Sequence, residues 1–211
     1  MKFDLRAVQI SDIEHLFERF HGYGGCGKLK TYAFAVFEND LPIAAYIWLQ
    51  PPIGAARSVC PEAPEGVLAL SRMVAVPKDE RRLKHISKPL KAQFNIIDRG
   101  RYPVLITYSD EGQGHTGYVY KCSGMKMTLR SKVPYFVDST GKRVSAYSNG
   151  KMRTSELTRG GTTFIQRWEH WICAKGEAAA HMAREGWVKE PIPGRVWRSG
   201  NQAHRIVKHA S

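Results

Sequence analysis

Ten consecutive residues, Val67-Leu-Ala-Leu-Ser-Arg-Met-Val-Ala-Val76, constrain the fold of this chain more than any others. Successive side chains of a strand point to opposite faces, and here both parities are apolar apart from Ser71 and Arg72. A strand of that kind lies in the middle of a sheet that is covered on both sides. Pro77 ends it. The remaining elements fall around this strand. Lys2 to Ala7 reads as a short first strand. Ser11 or Asp12 caps a helix through Phe20, with Ile13, Leu16, Phe17 and Phe20 at helical spacing. The glycine-rich run His21 to Gly27 is a loop. Tyr32 to Phe37 and Ile43 to Leu49 flank Glu38-Asn-Asp-Leu-Pro42 as a hairpin. Pro51, Pro52, Pro61 and Pro64 mark an irregular connection. Ser87 opens a helix to about Asp98 with Ile86, Leu90, Phe94 and Ile97 as its buried stripe, and Pro89 falls harmlessly in the first turn. Val104 to Thr107 is the next strand, and a helix follows around Tyr118. This order predicts an α/β (α+β) fold, a central mixed sheet flanked by helices.

Beyond Met125 the pattern changes. Tyr135 to Asp138 and Val144 to Tyr147 bracket Ser139-Thr-Gly-Lys as a second hairpin. Ser148 to Gly161 reads as a long polar loop, Thr163 to Cys173 as a strand, and Glu177 to Arg184 as a short helix. Charge changes with it. Residues 1–124 carry 16 Lys/Arg against 13 Asp/Glu, whereas residues 125–211 carry 16 against 6. The expected organisation is a core over residues 1–125 and a basic, β-rich elaboration over 126–211 packed on it. Such asymmetry suits a phosphate backbone, with Lys151, Arg153, Arg159, Arg195 and Arg198 as the candidate contacts. A solubilising surface would give the same total. Trp168, Trp171, Trp187 and Trp197 lie among these cations, and at least half of them are expected to be core residues. The four cysteines are dispersed and form no Cys-x-x-Cys pair, which fits reduced thiols in a cytoplasm. No apolar run approaches the roughly 18 residues that span a membrane.

Chemistry concentrates in Thr107-Tyr-Ser-Asp110-Glu-Gly-Gln-Gly-His115-Thr-Gly-Tyr-Val-Tyr120-Lys-Cys-Ser-Gly124-Met125. A buried strand runs into a polar loop and a short helix, and ligands of α/β sheets bind just beyond such strand ends. Asp110 there either serves a reacting amine or a metal, or accepts backbone N–H bonds of its own loop. His115, at the expected start of the helix, is either a base or ligand or a cap. Arg72, on an otherwise apolar strand, needs a ligand oxygen or a carboxylate, and Asp110 is a candidate partner. Arg81, Arg82 and Ser87 precede or open a helix whose N-terminus favours an anion, although a solvated loop would look the same.

Tyr120-Lys-Cys-Ser-Gly124-Met125 resembles the Tyr-x-x-x-Gly-Phe ending of the last core helix in GNAT-type acyl-CoA transferases. The wider pattern is Thr-Tyr-x-Asp, then Gly-His-x-Gly, then Tyr ten residues after the Asp. It resembles the Mom-type phage DNA-modification proteins, a divergent GNAT-like branch that alters the exocyclic amine of adenine. The resemblance covers roughly residues 20–125. It implies a GNAT-like sheet, a transferase acting on the N6 amine of adenine in double-stranded DNA with the base flipped out, and acetyl-CoA or a related acyl-CoA as donor. Tyr120 would protonate the departing thiolate, Asp110 and His115 would assist the amine, and Arg72, Ser87, Arg81 and Arg82 would hold the donor. The chain departs from the family in lacking Arg/Gln-x-x-Gly-x-Gly/Ala before the helix at Ser87. Mom-like proteins also carry a His-Tyr pair near His21. Here the residues are His21-Gly-Tyr23, and with Asp110 they would suit Fe(II) if they converge. A phage or prophage protein acting in a bacterial cytoplasm is implied. Two alternatives stand beside it: a generic N-acyltransferase of a small-molecule or protein amine, and a non-catalytic DNA-binding protein on a degenerate GNAT scaffold.

Overall fold

The computed structural model describes residues 3–21, 27, 29–141, 143–144, 147–148, 151–152, 157–196 and 202–209. Its strands are β1 (Asp4–Ala7), β2 (Tyr32–Glu38), β3 (Leu41–Leu49), β4 (Val67–Ala75), β5 (Val104–Asp110), β6 (Lys126–Val137), β7 (Arg143–Val144), β8 (Tyr147–Ser148), β9 (Lys151–Met152), β10 (Thr158–Trp171), β11 (Trp187–Val196) and β12 (Gln202–Lys208). Its helices are α1 (Glu14–Phe20), α2 (Ile53–Val59), α3 (Ser87–Gln93), α4 (Tyr118–Ser123) and α5 (Ala178–Arg184). Eight strands form one sheet in the order β1-β2-β3-β4-β5-β10-β6-β7. Every pairing in it is antiparallel except β4 with β5. Two separate hairpins, β8–β9 and β11–β12, complete the strands among the described residues. No helix among the described residues is long and apolar enough to cross a membrane.

Alternation along the strands builds apolar clusters on both faces of the sheet. Phe34, Val36, Tyr46, Trp48, Leu68 and Leu105 face α3 and α4, meeting Leu90, Phe94 and Tyr120. Their neighbours in sequence face the other way. Ala33, Ala35, Ala45 and Ile47 pack on Leu16 and Phe17 of α1. Val67, Val104 and Ile106 pack on Ala56 and Val59 of α2 and on Ala178 and Met182 of α5. The doubly buried reading holds for Val67 to Leu70, whereas Ser71 to Met73 and Ala75 are partly exposed.

The structure corrects several expectations. Ser11 and Asp12 do not cap α1. Residues Ile10–Asp12 form a 3-10 turn in which the Asp12 carboxylate accepts from Gln9 N at 2.9 Å, and α1 starts at Glu14. The proline-marked connection contains α2, because Pro51 and Pro52 sit just ahead of its first turn, where their missing N–H groups break nothing. The helix at Ser87 is regular only to Gln93. β5 runs on to Asp110 because β10 pairs with it through Ile165 opposite Asp110. The expected loop from Ser148 to Gly161 instead contains β9 and the start of β10, whose polar residues pair with β6. The hairpin at Asn39 and Asp40 is as expected, with both residues at positive φ (50° and 61°), the geometry of a tight primed turn. Residues beyond 125 supply β6, β7 and β10 to the same sheet as residues before it.

Candidate active site

The site arises where the sheet opens. β4 and β5 pair only through Val67–Val104, Leu68–Leu105 and Ala69–Ile106, yet β4 continues to Ala75 and β5 to Asp110. Beyond that point the two parallel strands have no ladder between them. At the apex Thr107 Oγ1 donates to Leu70 O at 3.1 Å. The opening is a cleft of about 680 Å³ lined by residues 69–76 of the β4 side, Thr107 to Asp110 of β5, and His21, Gln113, His115 and Tyr120.

A register slip in β4 then decides what faces this cleft. Trp48 pairs with Leu70 and Ile47 pairs with Arg72, leaving Ser71 without a partner in the ladder. Such a bulge inverts the alternation that follows it. Without it Arg72 would share the face of Leu68 and Leu70 and would be driven into the core beneath α3. With it Arg72 shares the α1 face with Ile47. Its Nη1 donates to Ser71 O at 3.2 Å, and its Nε is buried with no hydrogen-bond partner among the described residues. A buried, unsatisfied guanidinium nitrogen is uncommon, and it suits an oxygen-bearing ligand.

Asp110 does not pair with Arg72. Its Oδ1 accepts from Gly112 N at 2.9 Å and from Thr163 Oγ1 at 2.6 Å, while its Oδ2 meets Arg143 Nη1 at 3.0 Å. Among the described lining residues it is the only acidic side chain. His21, just after α1, is half-buried, and its imidazole is pushed down to about 4, first by burial and then by the charges of Arg72 and His115. It is therefore neutral near pH 7. His115 is exposed and lies in the turn before α4 instead of starting the helix, which begins at Tyr118 after Gly117.

Tyr120 is 9% exposed, with its ring 6.2 Å from that of Trp168. Burial pushes its phenol above the usual tyrosine range, and a hydrogen bond with Thr107 opposes that in part. Trp168 is itself pinned by Nε1 donating to Ser109 Oγ at 3.0 Å. Gly117 makes this packing possible. It has φ of +71°, and a Cβ there would fall 2.2 Å from the indole of Trp168.

The cations before α3 are employed differently from the sequence expectation. Arg81 is buried, with Nε donating to Val76 O at 2.9 Å and Nη1 to Leu83 O. Lys84 Nζ donates to Lys78 O and Arg81 O at 2.8 and 2.6 Å. Backbone carbonyls of the loop thus absorb both side chains. Arg82 is exposed, and its backbone N–H is held by Glu38 at 2.9 Å. Ser87 is the buried first residue of α3. Arg81 lines the cleft, whereas Arg82 and Ser87 do not.

His21 and Asp110 line the same cleft, but Tyr23 lies outside the described residues. Among the described residues no three His, Cys, Asp or Glu side chains gather to hold a metal. With Asp110 engaged by Arg143 and Thr163, the described residues do not assemble a ligand set for Fe(II). Of the expected nucleic-acid contacts, Arg159 is exposed at the start of β10. Arg153 and Arg198, and the side chains of Lys151 and Arg195, lie outside the described residues. Trp168 is buried and Trp171 and Trp187 are partly buried, whereas Trp197 is not described.

Sequence reasoning missed Arg143 and Thr163, which contact Asp110 from 33 and 53 residues away. It also missed Ser109, Gln166, Glu111 and Arg130. These form a polar chain beside the site, in which Gln166 and Arg130 both donate to Glu111 Oε1 at 2.7 Å. Only a register between β5, β10 and β6 could have found them.

The profile of the Mom protein family matches residues 2–183. No curated protein matches the chain in sequence. Among solved structures, the ribosomal-protein-S18-alanine N-acetyltransferase of Escherichia coli superposes with a TM-score of 0.52 at 10% identity, covering 83% of this chain and 98% of that one. A GNAT-family acetyltransferase of Streptococcus pneumoniae gives 0.51 at 11% identity, covering 81% and 100%. The fold is that of the GNAT acetyltransferases.

Proposed function

The chain belongs to the Mom protein family, and on that premise we propose that it is a GNAT-like transferase modifying the N6 amine of adenine in double-stranded DNA, with an acyl-CoA-derived or related small donor. The observation that carries this reading is the Ser71 bulge, which turns Arg72 into the open sheet with its Nε buried and unpartnered. A cation so placed awaits a carbonyl or phosphate oxygen, and the described residues of the cleft around it include the Asp110 carboxylate and the buried phenol of Tyr120.

A bound acyl thioester would supply an activated carbonyl carbon and a thiolate leaving group. Arg72 would hold the donor's oxygen, with Arg82 and Lys88 as exposed cations near the start of α3 for its phosphates. Tyr120, like any phenol, is protonated at neutral pH, and burial keeps it so, leaving a proton at Oη for a thiolate. The adenine amine is a poor nucleophile, since its lone pair is delocalised into the ring. Asp110, oriented by Thr163, Gly112 and Arg143, would accept its N–H and offset the positive charge that develops on attack. The amine lies inside the duplex, so the base must leave the stack first. The basic region after residue 125 would hold the backbone meanwhile.

The test is direct. The protein is expressed in a bacterial host, the DNA is digested, and the nucleosides are weighed by mass spectrometry. A new adenine nucleoside is expected with the parent chain, and background levels with Asp110→Asn, which keeps size and loses charge. A chain that leaves nucleosides unaltered but turns over acetyl-CoA without DNA would be a generic N-acyltransferase. One that binds duplex and does neither would be a binding protein.

A further inference from the structure

Three segments distant in sequence converge on a single carboxylate. Asp110 ends β5, Thr163 comes from β10, and Arg143 comes from β7 at the far edge of the sheet. The ion pair is well shielded, with side-chain exposures of 12% for Asp110 and 17% for Arg143. Its geometry is fixed on the arginine side as well. The guanidinium lies 3.7 Å over the ring of Tyr135 on β6, and Arg143 is registered opposite Val137. The chain also leaves room for it. A Cβ on Gly112 would fall 2.6 Å from Arg143 Nη2 and 2.5 Å from Thr163 Oγ1, so the turn after Asp110 has no side chain where the guanidinium sits.

We propose that Arg143 is a positioning residue of the candidate site, holding the Asp110 carboxylate oriented toward the amine. The proposal rests on the role given to Asp110 above and extends the site into the β6–β7 hairpin. A planar guanidinium stacked on an aromatic ring loses little freedom on pairing, which suits it to hold a carboxylate still. Thr163 and Gly112 fix Oδ1, and Arg143 fixes Oδ2. Together they set the plane of the carboxylate.

A simple staple between hairpin and core would look similar, and the molecule contains one for comparison. Arg130 of β6 grips Glu111, the next residue along, at 2.7 and 2.8 Å, with the arginine side chain 47% exposed. It ties β6 to the same turn without touching Asp110. The experiment therefore uses Arg143→Gln, Arg143→Lys and Arg130→Gln in the full chain, with Asp110→Asn as reference. Three readouts are taken: modified nucleoside in host DNA, thermal midpoint, and the salt dependence of duplex binding.

Arg143→Gln is expected to lower the modified nucleoside by about tenfold to a hundredfold, the scale of a misplaced catalytic group. Arg143→Lys should recover a small part, since it restores the charge without the stacked plane, and Arg130→Gln should stay near the parent. Equal losses in Arg143→Gln and Arg130→Gln, tracking their thermal midpoints, would make the pair a staple and overturn the proposal. A duplex-binding slope reduced by about one would make Arg143 a phosphate contact instead and overturn it too. If Asp110→Asn keeps its modified nucleoside, the reading of Asp110 fails first. If Asp110→Asn loses it while Arg143→Gln does not, this inference alone fails.

Discussion

Two glycines on the loop before α4 offer a controlled measurement of how tightly the site is packed. Gly114 has φ of +74° and Gly117 of +71°, so alanine meets the same left-handed backbone at either position. That conformation costs an L-residue about 1–2 kcal/mol, offset by about 0.4–1 kcal/mol because alanine restricts the unfolded chain. Around Gly114 there is nothing within 4 Å of an added Cβ. Around Gly117 the Cβ would meet three atoms of the Trp168 indole at 2.2, 2.4 and 2.6 Å. The indole cannot easily retreat, because it is hydrogen-bonded to Ser109 and buried against the core of α3 and α4. Overpacking of this sort costs roughly 1–3 kcal/mol. At about 2–4 °C per kcal/mol for a chain this long, Gly117→Ala should melt about 2–12 °C below Gly114→Ala. Both variants can be followed by circular dichroism through thermal unfolding. Activity should fall with Gly117→Ala even below its midpoint, since the carbonyl of Gly117 accepts from Tyr120 N at 3.0 Å and locates that tyrosine. Equal midpoints for the two variants would refute the close approach of Gly117 to Trp168.

Tyr120→Phe should keep its thermal midpoint, since the lost hydroxyl leaves the ring packing on Trp168, but should lose most nucleoside modification; parallel losses of both would mark a packing role. Arg72→Met should melt at or above the parent temperature, because it removes a buried unsatisfied nitrogen, yet lose activity; a clear drop in midpoint would show that Arg72 has a structural partner. For His21 the folded value of about 4 lies below the unfolded 6.5, so the unfolded chain binds more protons between those values; stability is full above 6.5 and declines as pH falls toward 4. His21→Gln should flatten the midpoint-versus-pH curve in that window, and an unchanged curve would contradict the burial of His21. Reversing the charges of Lys151, Arg153 and Arg159 should lower the salt dependence of duplex binding by about one unit of slope for each phosphate no longer neutralised, which filter binding at graded salt would reveal.

What the sequence could disclose followed the reach of its periodicities. The doubly apolar strand at 67–75, the Asn39-Asp40 hairpin and the strand leading to Asp110 are local patterns, and they appear where residue spacing puts them. Of β6 only the end at Tyr135 was read, as one arm of the hairpin with Val144; residues 126–134 are mostly exposed, so no alternation marks them. Arg72 was singled out for standing on an apolar strand. The bulge at Ser71 that aims it was invisible, because a bulge exists only relative to a partner strand. For Asp110 the loop was read correctly as polar and glycine-bearing. Its counter-ion was sought at Arg72 and lies at Arg143, 33 residues on, where only the pairing of β6, β7 and β10 brings it back.

The insertion of β10 between β5 and β6 also sets a timetable for the newborn chain. β6 leaves the ribosome soon after β5, yet it cannot join the strands before it until residues 158–171 have been made to lie between them. Until then the strand bearing Asp110 presents a bare edge, a natural template for strands of other nascent chains. A polypeptide stopped at residue 125 would keep that edge permanently and would be prone to clump. Low temperature, slow expression and chaperone supply during synthesis should accordingly govern the yield of this protein more than the stability of its finished fold.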